Sequence, residues 1–143
     1  VTLADRPDLL PALYAIAQVA YADQPGRAGT RIPPFDVWRT WFDRHPAEAC
    51  FIALDGEHAV GYGYLEVDGE AGTHGFTAVA REARRSGVAT AIKQAQIGWA
   101  KANGLRTLRT ATEARLEGMR RLNARHGYRL LYAELVLRGP LSP

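Results

Sequence analysis

The chain of 143 residues has one cysteine, no apolar run that approaches a bilayer span, and no basic-then-apolar start. Each lack removes a class of protein. A single thiol cannot close an internal disulfide, and Cys50 stands in Cys50-Phe51-Ile52-Ala53-Leu54, the pattern of a buried strand, where it reads as core filler rather than nucleophile. Without about 20 consecutive apolar residues no membrane-crossing helix is expected. The start Val1-Thr2-Leu3-Ala4-Asp5 lacks the features of a secretion signal, so a cytoplasmic protein is expected. None of the four histidines has metal-ligand spacing with a cysteine or carboxylate, so no metal is expected. Internal repeats and low-complexity runs are absent as well.

The length suits one domain, 1–143, with a self-sufficient core. Only Val1 to Ala4 precede the first helix signal and the chain does not start with Met, so a clipped first strand is expected, from a trimmed protein or half of a tandem. The net charge of +3 hides an asymmetry: residues 1–70 carry 5 basic and 11 acidic groups, residues 81–129 carry 12 and 3. A basic half could serve nucleic acid, but its charges surround one loop and lie on helices without interleaved exposed aromatics. A phosphorylated small molecule explains them more economically than a nucleic-acid partner.

Along the chain, Leu9, Leu10, Leu13, Ile16, Ala17, Ala20 and Tyr21 form one helical stripe that Asp5 or Asp8 could cap. A loop follows from Ala22 to Pro34, then a short helix from Phe35 to Arg44 with Phe35, Trp38, Trp41 and Phe42. Strands are predicted at Cys50–Leu54, Ala59–Val67 and Gly72–Val79, an antiparallel meander turning at Asp55-Gly56 and Asp68-Gly69. A helix from Gly87 to Asn103, a strand Leu105–Thr112, a helix Arg115–His126 and a last strand Tyr128–Leu137 complete a mixed α/β order.

The most telling stretch is Thr77 to Thr90, a strand that passes through a basic, glycine-containing loop into a helix. Gly87 lets a ligand approach the backbone, Arg84 and Arg85 add charge, and free amides gather at the helix start, an arrangement suited to phosphate. Arg84-x-x-Gly87-x-Ala89 resembles the acyl-coenzyme A signature of the GCN5-related N-acetyltransferase superfamily. The likeness continues through Trp99 to Gly104, Thr110 and Leu122-Asn123-x-x-x-Gly127-Tyr128. It implies that family's fold: a six- to seven-stranded, mostly antiparallel sheet with about four helices, splayed between its fourth and fifth strands where acetyl-coenzyme A enters.

The resemblance further implies that Ala78 and Val79 pair with the pantetheine arm. A bulge near Val79 would leave its N–H for the thioester oxygen, and Arg84, Arg85, Ser86, Gly87, Val88, Ala89 and Thr90 would hold the diphosphate. Where many relatives carry a general-acid tyrosine stands Asn123, and where some carry a strand glutamate stands Thr73. His74 and Glu66 are therefore alternative base candidates, although strand alternation sets His74 on the face opposite Thr73, Gly75 and Thr77. Glu66 shares register with Tyr62 and Tyr64. His45 and His58 read as exposed, and Tyr128 and Tyr132 are weaker acid candidates.

The leading reading is direct acetyl transfer from acetyl-coenzyme A to a primary amine, on a small molecule or a peptide. The alternative is a non-catalytic acyl-coenzyme A-binding or regulatory domain. The acidic amino-terminal half favours a cationic acceptor, and self-association as a homodimer is left open.

Overall fold

The computed structural model describes residues 1–24 and 31–134. Part of the loop predicted from Ala22 to Pro34 and the end of the predicted last strand lie outside the described residues. The chain forms two compact units, Val1–Ala111 and Thr112–Pro143.

In the first unit the elements run α1 (Leu10–Ala22), α2 (Phe35–Arg39), β1 (Cys50–Asp55), β2 (His58–Asp68), β3 (Ala71–Val79), α3 (Val88–Ala102) and β4 (Thr107–Thr110). The sheet order is β1-β2-β3-β4, antiparallel through β3, with β4 parallel to β3. The hairpins turn at Gly56 and Gly69, both at positive φ, as their Asp-Gly sequences predict.

The sheet has four strands among the described residues, not the six to seven expected. The first strand survives only as a bridge, Thr2 to Phe51. Asp5 Oδ2 accepts from both the N–H and the hydroxyl of Thr2 at 2.8 Å, which bends the chain into a turn before a ladder can extend. At the other end 128–134 takes no strand, and Leu130, Leu131 and Tyr132 are exposed where alternating burial was expected.

Helix entry differs too. Neither Asp5 nor Asp8 caps α1, because Asp5 is engaged by Thr2 and Asp8 by Arg6 at 2.8 Å; the chain enters instead through a 3₁₀ turn at Pro7–Leu9. The helix predicted from Phe35 to Arg44 breaks into α2 and a 3₁₀ turn at Phe42–Arg44.

The two faces of the sheet are packed differently. On one, Leu13, Ile16 and Ala17 of α1 meet Trp38, Phe42, Cys50, Ile52, Tyr62 and Ala78 in the main core. Trp38 and Phe42 rings lie 4.8 Å apart, edge to face. Burial pushes the Cys50 thiol up to about 12, so it stays protonated and inert, as expected of core filler. On the other face α3 sits close on β2 over two glycines: a Cβ at Gly61 would come 2.8 Å from Val88, and one at Gly63 2.9 Å from Ile92.

The second unit holds α4 (Glu117–Arg125). Its end is closed by Gly127 at φ 81°, with the Gly127 N–H donating to Ala124 and the Tyr128 N–H to Asn123, so Gly127 stops the helix as its sequence predicts.

Candidate functional site

Strand β3 is paired on both sides for only half its length. Its parallel ladder with β4 covers Ala71 to His74 and stops at the rung His74–Thr110, while its ladder with β2 runs on to Val79. Among the described residues no strand pairs with the β4 side of 75–79, which leaves an open edge there. The Ala80 N–H donates to Val60 on β2 at 2.9 Å, so by alternation the N–H groups of Thr77 and Val79 point away from β2 into that opening, and that of Ala78 turns back toward β2. Thr77 was not singled out in the sequence. Its signal is its spacing of two from Val79.

The bulge lies elsewhere than expected. Between Gly63–Thr77 and Leu65–His74 the register of β3 gains a residue, so the irregularity sits at Gly75–Phe76, not at Val79. The Gly75 position allows it, since the Tyr64 ring occupies the space a Cβ there would need. Relative to Thr77 the extra residue reverses the expected facing of His74. Its side chain lies with those of Thr77 and Val79 on the α3 side, buried, with Nδ1 2.7 Å from Gln96 Oε1.

Past Val79 the chain makes a 3₁₀ turn at Arg81–Ala83 and enters α3 through Arg84 to Gly87. Arg85 and Gly87 adopt positive φ, 64° and 95°, and residues 84–87 are exposed. No side chain caps α3, so the N–H groups of its first turn, Val88, Ala89 and Thr90, face outward with the positive helix end behind them. A Cβ at Gly87 would meet nothing within 4 Å. The exposed Ser86 hydroxyl donates back to the Ala83 carbonyl at 2.6 Å.

Arg84 does not stand free. Its Nε donates to the Val79 carbonyl at 3.1 Å and its Nη1 pairs with Asp23 at 2.8 Å, while Arg81 also clasps Asp23, with Nε at 2.9 Å. The two guanidiniums hold the Asp23 carboxyl well below the usual carboxylate range. The end of α1 is thereby tied to the loop that precedes α3.

Glu66 pairs with Thr73 and lies on the sheet face away from α3, so it and His74 are on opposite faces and are not brought together. It lines a hollow of about 290 Å³ with Trp41, Arg44, His45 and Tyr64. The His45 ring stacks on Tyr64 with centroids 5.0 Å apart and planes 17° from parallel, so His45 is half-buried rather than exposed. The Tyr64 phenol bonds the Phe76 backbone, and burial raises its pKa. Arg44 and His45 carried no sequence signal beyond their place before Pro46. Among the described residues no group of histidines, cysteines and carboxylates could hold a metal.

In the second unit Asn123 is a buried side chain on α4, and its Oδ1 has no hydrogen-bond partner among the described residues. Burial raises the Tyr128 pKa, and Tyr132 is exposed. No helix among the described residues is long and apolar enough to cross a membrane.

A sequence profile described as the acetyltransferase (GNAT) family matches residues 10–128. No curated protein matches the chain. Among solved structures, the chain is similar to ribosomal-protein-alanine N-acetyltransferase from Brucella melitensis, with TM-score 0.71 and 21% identity over 84% of this chain and 78% of that one. It is similar to AAC(6')-Iy in complex with the bisubstrate analog CoA-S-monomethyl-acetylneamine, with TM-score 0.69 and 15% identity over 94% and 93%. A third, an N-acetyltransferase from Staphylococcus aureus, gives TM-score 0.68 and 22% identity over 85% and 78%. At these identities the likeness is one of fold.

Proposed function

The chain belongs to the acetyltransferase (GNAT) family, whose enzymes use acetyl-coenzyme A, and from that premise we propose that it transfers the acetyl group to a primary amine by direct attack. The observation that carries the reading is the open edge of β3 leading into the uncapped start of α3. The residues fit the cosubstrate: the backbone at Gly87 is unobstructed, and the first-turn amides of α3 are turned outward.

Backbone amides from Ser86 to Thr90 hold the diphosphate, with Arg85 and Arg84 adding charge. Arg84 exchanges part of its hold on Asp23 and Val79 for phosphate. The pantetheine arm lies along Ala78 and Val79 as an added strand, with the Val79 N–H directed at the edge. That amide, or the Thr77 amide beside the bulge, donates to the thioester oxygen as charge develops there; one such donor contributes roughly 3 to 4 kcal/mol. The thioester supplies an activated acyl carbon and a thiol leaving group.

Glu66, lining the hollow, anchors the ammonium and accepts its proton, directly or through water. His74, bonded to Gln96 on the far face, braces β3 against α3 rather than meeting the amine. The Asn123 amide in the second unit can donate a hydrogen bond but no proton. An alkyl thiol with a pKa of roughly 8.5 leaves adequately without a strong acid.

The test is calorimetry of acetyl-coenzyme A binding, followed by release of free thiol over a panel of amines. Absence of binding sinks the reading. Binding without turnover on any amine favours a regulatory acyl-coenzyme A-binding domain, the alternative to which Asn123 and Thr73 point.

A further inference from the structure

Building on the reading of the Glu66 hollow as the acceptor side, we propose that the acceptor is a small zwitterion: a primary amine that also carries a carboxylate or phosphate, with its anionic group on Arg44 and its amine at Glu66. Of the five lining residues only these two carry full charges, and they are of opposite sign. Neither forms an ion pair among the described residues. Arg44 is exposed at the end of the 3₁₀ turn Phe42–Arg44, with its guanidinium available to a ligand.

The chemistry of the walls narrows the choice. A guanidinium presents a planar fork of donors that matches a carboxylate or phosphate edge, which makes Arg44 an anion receptor. A plain cationic amine would satisfy Glu66 but leave Arg44 without a counter-charge, so the hollow favours a ligand that also carries an anion. The remaining surface is aromatic: Trp41 and the stacked pair His45 and Tyr64. The Tyr64 phenol oxygen accepts from the Phe76 backbone, so its O–H can donate to the anion beside Arg44. A volume of about 290 Å³ accommodates a ligand the size of an amino acid.

The step balances without a further reagent. The ammonium releases one proton to Glu66 and then to solvent. The nitrogen bonds the acetyl carbon as the C–S bond breaks, and the second proton leaves nitrogen for sulfur. The products are an amide with its anionic group intact, a free thiol and one proton.

Three matched pairs test the proposal: phenylalanine against phenethylamine, β-alanine against propylamine, and O-phosphoethanolamine against ethanolamine. Each is measured by calorimetric binding and by thiol release with acetyl-coenzyme A, on the full chain and on R44Q. The side chain is exposed, so R44Q should fold. The expected result is an advantage of about tenfold or more for the anionic member of at least one pair, carried by KM, falling below about threefold in R44Q. The carboxylate and phosphate pairs report which anion is preferred. Equal or better use of the plain amines, or an R44Q loss shared equally within every pair, overturns the proposal. If acetyl-coenzyme A fails to bind, the acetyl-transfer reading falls and the calorimetric arm still decides the hollow. If plain amines turn over and no zwitterion binds, only the zwitterion proposal falls.

Discussion

The two faces of the sheet solve packing in opposite ways. Beneath α1 and α2 the face is large and aromatic, with Trp38, Phe42, Tyr62 and Phe76 filling space edge to face, and the Glu66 hollow opens at its rim. Beneath α3 a smaller apolar cluster of Leu65, Ala100 and Trp99 adjoins glycines and buried polar groups: Gly61 and Gly63, then His74, Gln96 and Lys93. Small residues let a helix approach a strand closely, and that closeness sets the start of α3 beside the end of β3. One face thus supplies hydrophobic stability and a place for an acceptor, and the other positions donors at a helix mouth.

Four substitutions would break or sharpen this contrast. The largest effect is expected at Gly87 on the α3 side. Gly87→Val should leave the fold standing, since no atom obstructs a Cβ, at a cost of about 1–2 kcal/mol for the left-handed backbone. The new side chain would occupy the ligand's approach, and acetyl-coenzyme A affinity measured by calorimetry should fall by about a hundredfold or more. Unchanged affinity would remove the helix mouth from the site.

Next, Gly61→Val forces Val88 and Ile92 away from the sheet and should destabilise by roughly 1–3 kcal/mol in thermal unfolding, with weaker cosubstrate binding because the α3 start moves. A similar enlargement at an exposed β2 position such as His58 should do little.

Lys93 gives the third test. Burial lowers its pKa from 10.5 to about 8. Below about pH 8 the ammonium is charged in both folded and unfolded chains, and folding bears its desolvation. Between about 8 and 10.5 the folded chain sheds the proton that the unfolded chain keeps, so stability should rise with pH across that window. Lys93→Met should flatten the rise. A melting temperature flat from pH 8 to 10.5 in the parent chain would contradict this.

The smallest effect is expected at Asp23. This exposed clasp contributes little to stability, and its carboxyl, held below the ordinary carboxylate pKa, keeps it formed until pH falls through that lowered value. Asp23→Asn frees two positive charges beside the loop, so acetyl-coenzyme A should bind about two- to fivefold more tightly at low salt, with the gain fading as salt rises. Weaker binding would mean that Asp23 is needed to hold Arg84 in its working position.

Much of this was legible in the residues. The helical stripe of α1, the Asp-Gly hairpins, the α3 periodicity and the stop at Gly127 are local signals, set by side-chain spacing and by which residues tolerate positive φ. Arg84-x-x-Gly87-x-Ala89 marked the loop through its resemblance to the family's acyl-coenzyme A signature. The aspartate caps failed because Thr2 and Arg6, also close in sequence, compete for the same carboxylates. His74 does lie opposite Thr73 as alternation predicts, but it shares a face with Thr77 because the bulge between them adds one residue.

The sequence by itself determined the elements of the first unit, the meander and the exposed basic loop ahead of α3, since these depend on periodicity and backbone freedom within a few neighbours. Only the tertiary structure decided that β4 leaves β3 after His74, that Arg84 is bound back to Asp23, and that Arg44, His45 and Glu66 share one hollow. Those facts depend on contacts between segments tens of residues apart, whose free energy comes from packing that no short stretch of chain contains.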